Sequence, residues 1–361
     1  MPVREESFRI GCGRYLQGAG YLSRCGEEVL RHGTAPLVIG DDTTLAITRE
    51  AIVQSLSSVC KKYEIVTHNG TCNEPDANIL AALCREKGYD VIVGVGGGVL
   101  MDFAKLCAHF ANVPVINVPT SSATCAAFAS LSVRYTREGR TVGALHYQRE
   151  VDGVIADTAI LAAQPVRLLL AGVFDALAKF LEIKQRFSEK DCPLGLDYAF
   201  VMSEHSFRVL TQNTAACIAD MARGEITQAV EQVIFTAIAA TGVISGIARG
   251  SNQCALAHKF YETVRYLFPE TAAPYLHGEI VGVGLLLQNY FNGEAEQNDF
   301  LLSLMREHSM PYSIAQIGVT QDAQTMQAFY DRICTTSAID ETNPEECKKF
   351  KEGLEYLWSI R

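Results

Sequence analysis

The sequence lacks a surplus of positive charge. It contains 31 Lys and Arg residues against 41 Asp and Glu residues, which gives a formal net charge of -10. Nucleic-acid binders and polybasic membrane-surface proteins normally carry a basic footprint. We therefore expect neither a nucleic acid nor a membrane as a partner of this chain.

The sequence also lacks paired cysteines, a leader and a long apolar run. No two of its 12 cysteines form a CxxC motif, which excludes a zinc ribbon or a thioredoxin-type site, and we interpret most of them as buried apolar residues in a reducing cytosol. The N-terminal MPVREESFRI has no apolar signal-peptide core. The charge-free stretch Val233–Ala248 is too short and too rich in Gly, Ser and Thr to span a bilayer, which needs about 20 apolar residues. These absences predict a soluble, cytoplasmic protein.

The pattern of elements predicts two domains. The chain has 361 residues, 48% of them hydrophobic, and about 150 residues per domain makes two the simplest count. Short apolar runs alternate with helical patterns in the first part, which is typical of βαβ units and a parallel sheet; the runs are Pro36–Gly40, Tyr63–Thr67, Asp90–Val95 and Val113–Val118. Strand signals become rare after about residue 160. We predict an α/β nucleotide-binding domain over residues 1–160 and an all-α domain over residues 161–361.

The segment GVGGGVLMDFAK (Gly94–Lys105) follows a predicted strand and opens a predicted helix. Glycines there let a phosphate approach the backbone and the free N–H groups of the helix start. The segment is neither the Rossmann GxGxxG motif, because Val99 occupies the third glycine position, nor a P-loop. Phosphate binding and a plain tight turn both stay open, and Asp102 and Lys105 also fit an ordinary solvated acid and base.

Several motifs in sequence order resemble the glycerol dehydrogenase-like branch of the iron-containing alcohol dehydrogenase superfamily. They are GRYLQGAG, GVGGGVLMDFAK, PTSSATCAAFASLSVRYT, LLLAGVFDALAKFLE, CALAHKF and YLHGEIVGVG. The resemblance implies an N-terminal domain related to dehydroquinate synthase, a helical C-terminal domain, and NAD(P)(H)-dependent hydride transfer at a metal ion. It also makes a homo-oligomer an expectation.

The resemblance also implies a set of cofactor contacts. Asp41 would lie at the adenosine ribose and would favour NAD(H) over NADP(H), because a carboxylate repels a 2′-phosphate. The remaining implied contacts are the pyrophosphate residues Gly97, Gly98 and Asp102 and the residues near the nicotinamide, Thr120, Ala123, Leu131 and Tyr135. Two positions depart from glycerol dehydrogenases, because Val99 replaces a frequent lysine and Ala129 replaces a serine.

The resemblance assigns Asp175, His258 and His277 as ligands of one divalent metal. Two imidazoles and one carboxylate leave a coordination position for a substrate oxygen, which the ion would polarise. The wider superfamily often has a histidine one helical turn after the aspartate, where this chain has Lys179. Three ligands resemble the zinc sites of this branch more than its iron sites, so zinc is expected rather than iron. Residues i and i+4 share a helix face, so Lys179 should point towards the metal; its alternative is a snorkelling surface lysine.

Cys125 lies where glycerol dehydrogenases have an aspartate that contacts substrate hydroxyls. Its TCAA segment is similar to hydroxycarboxylate dehydrogenase A-like relatives, which reduce 2-oxo acids. Losing the carboxylate removes two acceptors for a polyol and a charge that repels an anion. We therefore expect a small, anionic 2-hydroxy or 2-oxo acid as substrate, with Lys179 opposite its carboxylate. The alternative is a polyol or small-alcohol dehydrogenase, followed by a dehydroquinate-synthase-like lyase.

Overall fold

A computed structural model describes residues 8, 10–187, 192–248 and 253–361 of the chain. These residues form two compact units. Among the described residues, a sheet unit contains 10–164 and 212–246, and a helical unit contains those of 165–211 and 247–361. The predicted fold class, an α/β part with a parallel sheet followed by a helical part, is confirmed.

The sheet unit is built on six parallel strands. Its strands are β1 (Tyr15–Gly18), β2 (Pro36–Gly40), β3 (Glu64–Thr67), β4 (Val91–Gly96), β5 (Val115–Pro119) and β8 (Gly153–Asp157), while β6 (Leu131–Tyr135) and β7 (Thr141–His146) form a separate antiparallel hairpin. The order across the sheet is β1-β8-β5-β4-β2-β3. Strands β2, β4, β5 and β8 are fully buried, as expected for a sheet covered on both faces.

Helices cover the two faces of this sheet. They are α1 (Cys25–Val29), α2 (Asp42–Ser57), α3 (Glu74–Lys87), α4 (Gly98–Ala111) and α5 (Thr158–Ala162). On one face, Ile52 and Leu56 of α2 pack against Val93 and Val95 of β4. Gly94 points to the other face, where an added Cβ would lie 2.4 Å from the Cβ of Ala104 in α4, since neighbouring strand residues face opposite ways.

The adjacent strands β2 and β4 therefore lead into helices on opposite faces. They pair in parallel from Pro36 to Gly40 against Val91 to Val95, and α2 and α4 follow them on the two sides of the sheet. This arrangement is a topological switch point, and open α/β sheets bind ligands at the carboxyl ends of the strands there.

The segment Gln212–Gly246 belongs to the sheet unit, whereas the sequence led us to place it in the helical domain. Its helix α8 (Gln228–Phe235) packs against β1 and α5. The carboxylate of Glu231 accepts hydrogen bonds from Gln17 Nε2 at 2.5 Å and from Thr158 Oγ1 at 2.9 Å. A helical pattern alone does not reveal which partner a helix covers.

One helical run, Gln228–Ile247, is the only one among the described residues that is long and apolar enough to cross a membrane. It has 20 residues and a mean hydropathy of 1.6, and 56% of its most apolar window is buried. It joins α8, a π-helical turn (Thr236–Ala240) and α9 (Thr241–Ile247). From the sequence we considered only the shorter stretch Val233–Ala248 and judged it too short to span a bilayer. The whole helical run is longer, so its length does not exclude a membrane span. Because Glu231 bonds inside the sheet unit and Gly242 packs against Phe128, we interpret the run as a core helix.

The helical unit is built around three packed helices, α6, α10 and α12. Its helices are α6 (Val166–Arg186), α10 (Leu256–Leu267), α11 (Pro269–Ala272), α12 (His277–Asn292), α13 (Asn298–Glu307), α14 (Ala323–Cys334) and α15 (Pro344–Ser359), and α7 (Leu194–Ala222) continues into the sheet unit. An added Cβ on Gly278 would lie 1.8 Å from the backbone oxygen of Ala171. A glycine is therefore required where the start of α12 meets α6.

Candidate functional site

Four residues predicted to contact the cofactor follow strand ends at one edge of the sheet. Asp41 follows β2, Gly97 and Gly98 follow β4, and Thr120 follows β5, where its N–H donates to Gly96 O at 3.0 Å. Gly97 is the N-cap of α4, so the free N–H groups of that helix lie at the switch point. The structure brings Asp41, Gly97 and Gly98 to the crevice between β2 and β4, and Thr120 lies at the end of the next strand, β5.

Asp41 also has a structural task. Its side chain accepts a hydrogen bond from Thr44 N at 2.8 Å, and Thr44 Oγ1 in turn accepts from Asp41 N at 3.2 Å. This reciprocal pair caps the start of α2. A substitution at Asp41 therefore affects the helix as well as any ribose contact.

Asp102 and Lys105 are buried rather than solvated, so the interpretation as an ordinary surface pair is wrong. Their side chains are ion-paired at 2.9 Å. Asp102 Oδ2 accepts a hydrogen bond from Val133 N at 2.9 Å. The carboxylate faces the hairpin strand β6 and helps to hold it, and its pyrophosphate contact stays a prediction.

Three of the predicted nicotinamide-lining residues and the predicted substrate residue Cys125 lie between the end of β5 and the end of the hairpin strand β6. Ala123, Cys125, Leu131 and Tyr135 are all half-buried. Cys125 O accepts hydrogen bonds from the N–H groups of residues 128 and 129, at 2.9 and 3.0 Å, which closes a turn after the cysteine. Tyr135 N donates to Cys72 O at 2.8 Å. These residues form one continuous segment of the sheet unit.

In the helical unit, Asp175, His258 and His277 converge. One ligand atom from each lies within 4.8 Å of the others. His258 Nε2 and His277 Nε2 are 3.3 and 3.6 Å from Asp175 Oδ1. Oδ1 is buried and accepts no hydrogen bond. Donor atoms that converge on a buried oxygen without hydrogen bonding to it are suited to a cation between them.

Glu182 orients His258, and the sequence analysis missed this residue. Its Oε2 lies 2.5 Å from His258 Nδ1, and its Oε1 accepts the N–H groups of Ala255 and His258, both at 2.8 Å. Glu182 is fully buried. A proton on Nδ1, shared with the carboxylate of Glu182, leaves the Nε2 lone pair directed at Asp175. A carboxylate bound to the second ring nitrogen is the usual outer support of a metal-binding histidine. Cys254 lies beside the same pair. The only sign in the sequence that Glu182 belongs to this cluster is its spacing. It lies seven residues after Asp175, on the same helix face.

The electrostatics of the cluster favour bound positive charge. Burial would raise the pKa of Asp175, but Lys179 and the two imidazoles reverse this and hold it well below its usual range. Burial would lower the pKa of His258, yet the carboxylate of Glu182 outweighs it and raises that pKa well above the ordinary value. Burial lowers the pKa of His277, which favours the neutral, metal-binding imidazole. The negative charge of Asp175 and Glu182 that favours a protonated imidazole also favours a divalent cation bound in place of the proton.

His277 is held by contacts around the first turn of α12. Glu279 accepts a hydrogen bond from Leu276 N at 2.7 Å and forms a bidentate pair with Arg167, with both distances 2.7 Å. Arg167 Nη2 also donates to Pro274 O at 2.8 Å. Together with Gly278, these contacts fix the helix start that carries His277.

Lys179 is buried, which rules out the interpretation as a snorkelling surface lysine. It is 4% exposed, and its Nζ lies 3.3 Å from Asp175 Oδ1. The i, i+4 spacing therefore brings it beside the cluster. A protonated lysine supplies charge there and no metal-ligand lone pair.

Comparisons with known proteins agree with this fold. The sequence model of a family described as iron-containing alcohol dehydrogenase matches residues 12–158. A glycerol dehydrogenase of Pseudomonas putida is 32% identical over 331 residues, covering 89% of this chain and 88% of the relative. Hydroxycarboxylate dehydrogenase A of Escherichia coli K12 is 32% identical over 260 residues, covering 70% of each. A solved structure of a probable glycerol dehydrogenase from Sinorhizobium meliloti has a TM-score of 0.82 at 24% identity, covering 98% of this chain and 99% of that one.

The fold and the relatives define the class of this chain as an oxidoreductase of the alcohol dehydrogenase type. The chain belongs to the iron-containing alcohol dehydrogenase family, in its glycerol dehydrogenase-like branch. This confirms the resemblance seen in the sequence. Membership implies a nicotinamide dinucleotide and a metal ion as cofactors.

Proposed function

We propose that this oxidoreductase transfers hydride between a nicotinamide dinucleotide and a small alcohol or polyol of the glycerol type. The relatives favour this substrate class, which the sequence analysis held as its alternative, over the 2-hydroxy acid that it preferred. The convergence of Asp175, His258 and His277 carries the proposal, because these groups suit a reaction at a carbon bearing oxygen. The lyase alternative is set aside, since the family is one of oxidoreductases.

Asp175, His258 and His277 would hold one divalent metal ion. The unbonded Oδ1 of Asp175 and the Nδ1 support of His258 fit such an ion, and two imidazoles with one carboxylate resemble catalytic zinc sites, so zinc is proposed over iron. When bound, the ion supplies Lewis-acid polarisation of a substrate oxygen. Glu182 keeps the Nε2 lone pair of His258 free for ligation.

The cofactor would lie along the carboxyl ends of β2 and β4. Asp41 supports NAD(H) over NADP(H), because its carboxylate would repel a 2′-phosphate. Gly97 and Gly98 would receive the pyrophosphate at the start of α4. Thr120, Ala123, Leu131 and Tyr135 would line the approach to the nicotinamide. A homo-oligomer stays a prediction from the resemblance.

A 2-hydroxy or 2-oxo acid is a second candidate substrate, and the burial of Lys179 favours it. A buried ammonium 3.3 Å from a carboxylate of the metal cluster could also attract the carboxylate of a substrate. Cys125 also supports an anionic substrate. At the position where the resemblance implies an aspartate in glycerol dehydrogenases, this chain has a side chain without negative charge. The relative that carries the name hydroxycarboxylate dehydrogenase A is compatible with this candidate.

A substrate screen decides between the two candidates. Purified protein is stripped with a chelator, reloaded with Zn²⁺ or Fe²⁺, and assayed with both nicotinamide cofactors against glycerol, small diols and 2-oxo acids. We expect turnover of a polyol or diol with NAD⁺ that depends on the added metal. Preferential reduction of 2-oxo acids, with a KM that rises in Lys179→Met, would establish the second candidate instead. Metal-loaded protein that turns over neither class contradicts both.

Matched variants of Cys125 sharpen this test. Cys125→Asp restores a carboxylate and should raise kcat/KM for glycerol while lowering it for 2-oxo acids. Cys125→Ser is a neutral control of nearly the same size and should leave the ratio of the two substrates close to that of the wild type. An unchanged ratio in Cys125→Asp would show that this position does not contact the substrate.

A further inference from the structure

A single buried ammonium group holds the segment that precedes the hairpin. Lys105, on α4, is 3% exposed. Its Nζ donates to Ala126 O at 2.7 Å, to Ala129 O at 2.9 Å and to Leu131 O. Its positive charge is balanced by Asp102. Three backbone oxygens spread over six residues are therefore gathered at one atom of one side chain.

No neutral side chain can replace this arrangement. An ammonium has three donors at a single nitrogen, whereas an amide has two and a hydroxyl has one. Burying a lysine is costly unless it is paired and hydrogen-bonded. Here the buried ammonium is paired with one carboxylate and hydrogen-bonded to three carbonyl groups. We interpret its role as holding these three carbonyls together.

We propose that Lys105 is a positioning residue that sets the geometry of the nicotinamide- and substrate-facing segment, residues 123–131. This inference rests on the proposed function, which places Ala123, Cys125 and Leu131 at the reacting end of the cofactor. Ala126 and Ala129 both lie within the turn, residues 125–129, that Cys125 O closes. A shift of these carbonyls therefore moves Cys125 and Leu131 together.

The other anchors of this segment act at different points. Asn117 Nδ2 donates to Ala127 O at 2.9 Å, and Gln164 Oε1 accepts from Ser122 N at 2.8 Å. Neither reaches the carbonyls of residues 129 and 131. Loss of Lys105 should thus loosen the carbonyls of residues 126, 129 and 131, while Ser122 and Ala127 keep their bonds to Gln164 and Asn117.

The test compares two ligands that differ in the nicotinamide. Dissociation constants for NADH and for ADP-ribose, which lacks the nicotinamide, are measured for the wild type and for Lys105→Met. We expect NADH affinity to fall by about tenfold or more and kcat by about 100-fold, since a misplacement near 1 Å costs that much in rate. ADP-ribose affinity should stay within about twofold, because Asp41, Gly97 and Gly98 are untouched. A role confined to global stability would weaken both ligands together.

Controls separate the possible failures. Lys87→Met removes an exposed lysine of the same unit, ion-paired to Glu64, and should match the wild type. If Lys105→Met does not fold, Lys105→Gln, which keeps two donors, should show a smaller loss of NADH affinity with unchanged ADP-ribose affinity. Wild-type NADH affinity and kcat in a folded Lys105 variant would overturn the inference, as would an equal loss for both ligands. Failure of the wild type itself to bind NADH would instead contradict the proposed function.

Discussion

Replacing Glu182 by glutamine tests how the ring of His258 is held. The carboxylate faces three N–H groups, with Oε1 accepting two from the backbone and Oε2 accepting one from the imidazole. A carboxamide has one oxygen and one NH₂ group. It must therefore place a donor against a donor on one side.

Each orientation of the new amide has a definite consequence. With the NH₂ group towards the ring, Nδ1 has to accept a hydrogen bond, so the ring proton moves to Nε2 and the lone pair facing Asp175 is lost. With the NH₂ group turned away, it meets the backbone N–H groups of Ala255 and His258, which loosens the start of α10. Both orientations weaken the metal site.

The expected loss follows from the position of Glu182 behind a metal ligand. Substitutions of such outer partners typically cost 10- to 100-fold in metal affinity, which corresponds to about 1.4 to 2.8 kcal/mol. Losing a buried hydrogen bond to a charged group should also lower the free energy of unfolding of the metal-free protein by about 1.5 to 3 kcal/mol.

The assay is a Zn²⁺ titration against a competing chromophoric chelator, with circular dichroism to verify folding. Gln288→Met is the matched control, because Gln288 Oε1 accepts Leu256 N at 2.9 Å at the same helix start without touching the imidazole. Its Zn²⁺ affinity should remain within about threefold of the wild type. A folded Glu182→Gln protein with wild-type affinity would refute the reasoning, and an equal loss in Gln288→Met would assign the effect to the helix start.

Three further predictions concern the helix junction, the cofactor and the segment that joins the sheet unit. Gly278→Ala should lower the free energy of unfolding by more than about 3 kcal/mol in a urea titration, because the new Cβ would lie 1.8 Å from Ala171 O; a loss below about 1 kcal/mol would mean that α12 can move freely. Asp41→Ser keeps an N-cap for α2 but removes the charge, so kcat/KM with NADPH relative to NADH should rise about tenfold with little loss of stability; an unchanged ratio argues against a ribose contact. Glu231→Ala removes hydrogen bonds to two side chains of the sheet unit and should cost about 2 to 3 kcal/mol in the same titration, whereas a stability equal to that of the wild type would show that the apolar packing of α8 suffices.

Local pattern predicted the main strands and helices well. The apolar run Pro36–Gly40 is a strand over the predicted residues, and Tyr63–Thr67 contains strand β3, because β-branched and apolar residues there are bounded by polar or glycine residues. Strand β1 was missed because only Leu16 of its four residues is buried, and β7 because its exposed residues form no apolar run.

Contacts between distant residues could not be predicted in the same way. His258 is 76 residues from its partner Glu182, and Lys105 is 26 residues from Leu131 O. Neither separation leaves a periodic signal in one sequence. The resemblance supplied the three candidate ligands, whereas the residues that orient them follow only from the packing of α6, α10 and α12.

The division of the chain has a consequence for the order in which it can fold. The sheet unit includes Gln212–Gly246 but not Pro165–Thr211. During synthesis, the six strands are complete once Asp157 has left the ribosome, yet α8, the partner of β1, follows only after a long stretch of the other unit. We therefore expect a nascent chain that ends near residue 165 to be sensitive to protease around β1, and to become resistant only when residue 246 has emerged. Truncation at the predicted boundary of 160 would remove part of the sheet unit and would not yield an intact nucleotide-binding domain.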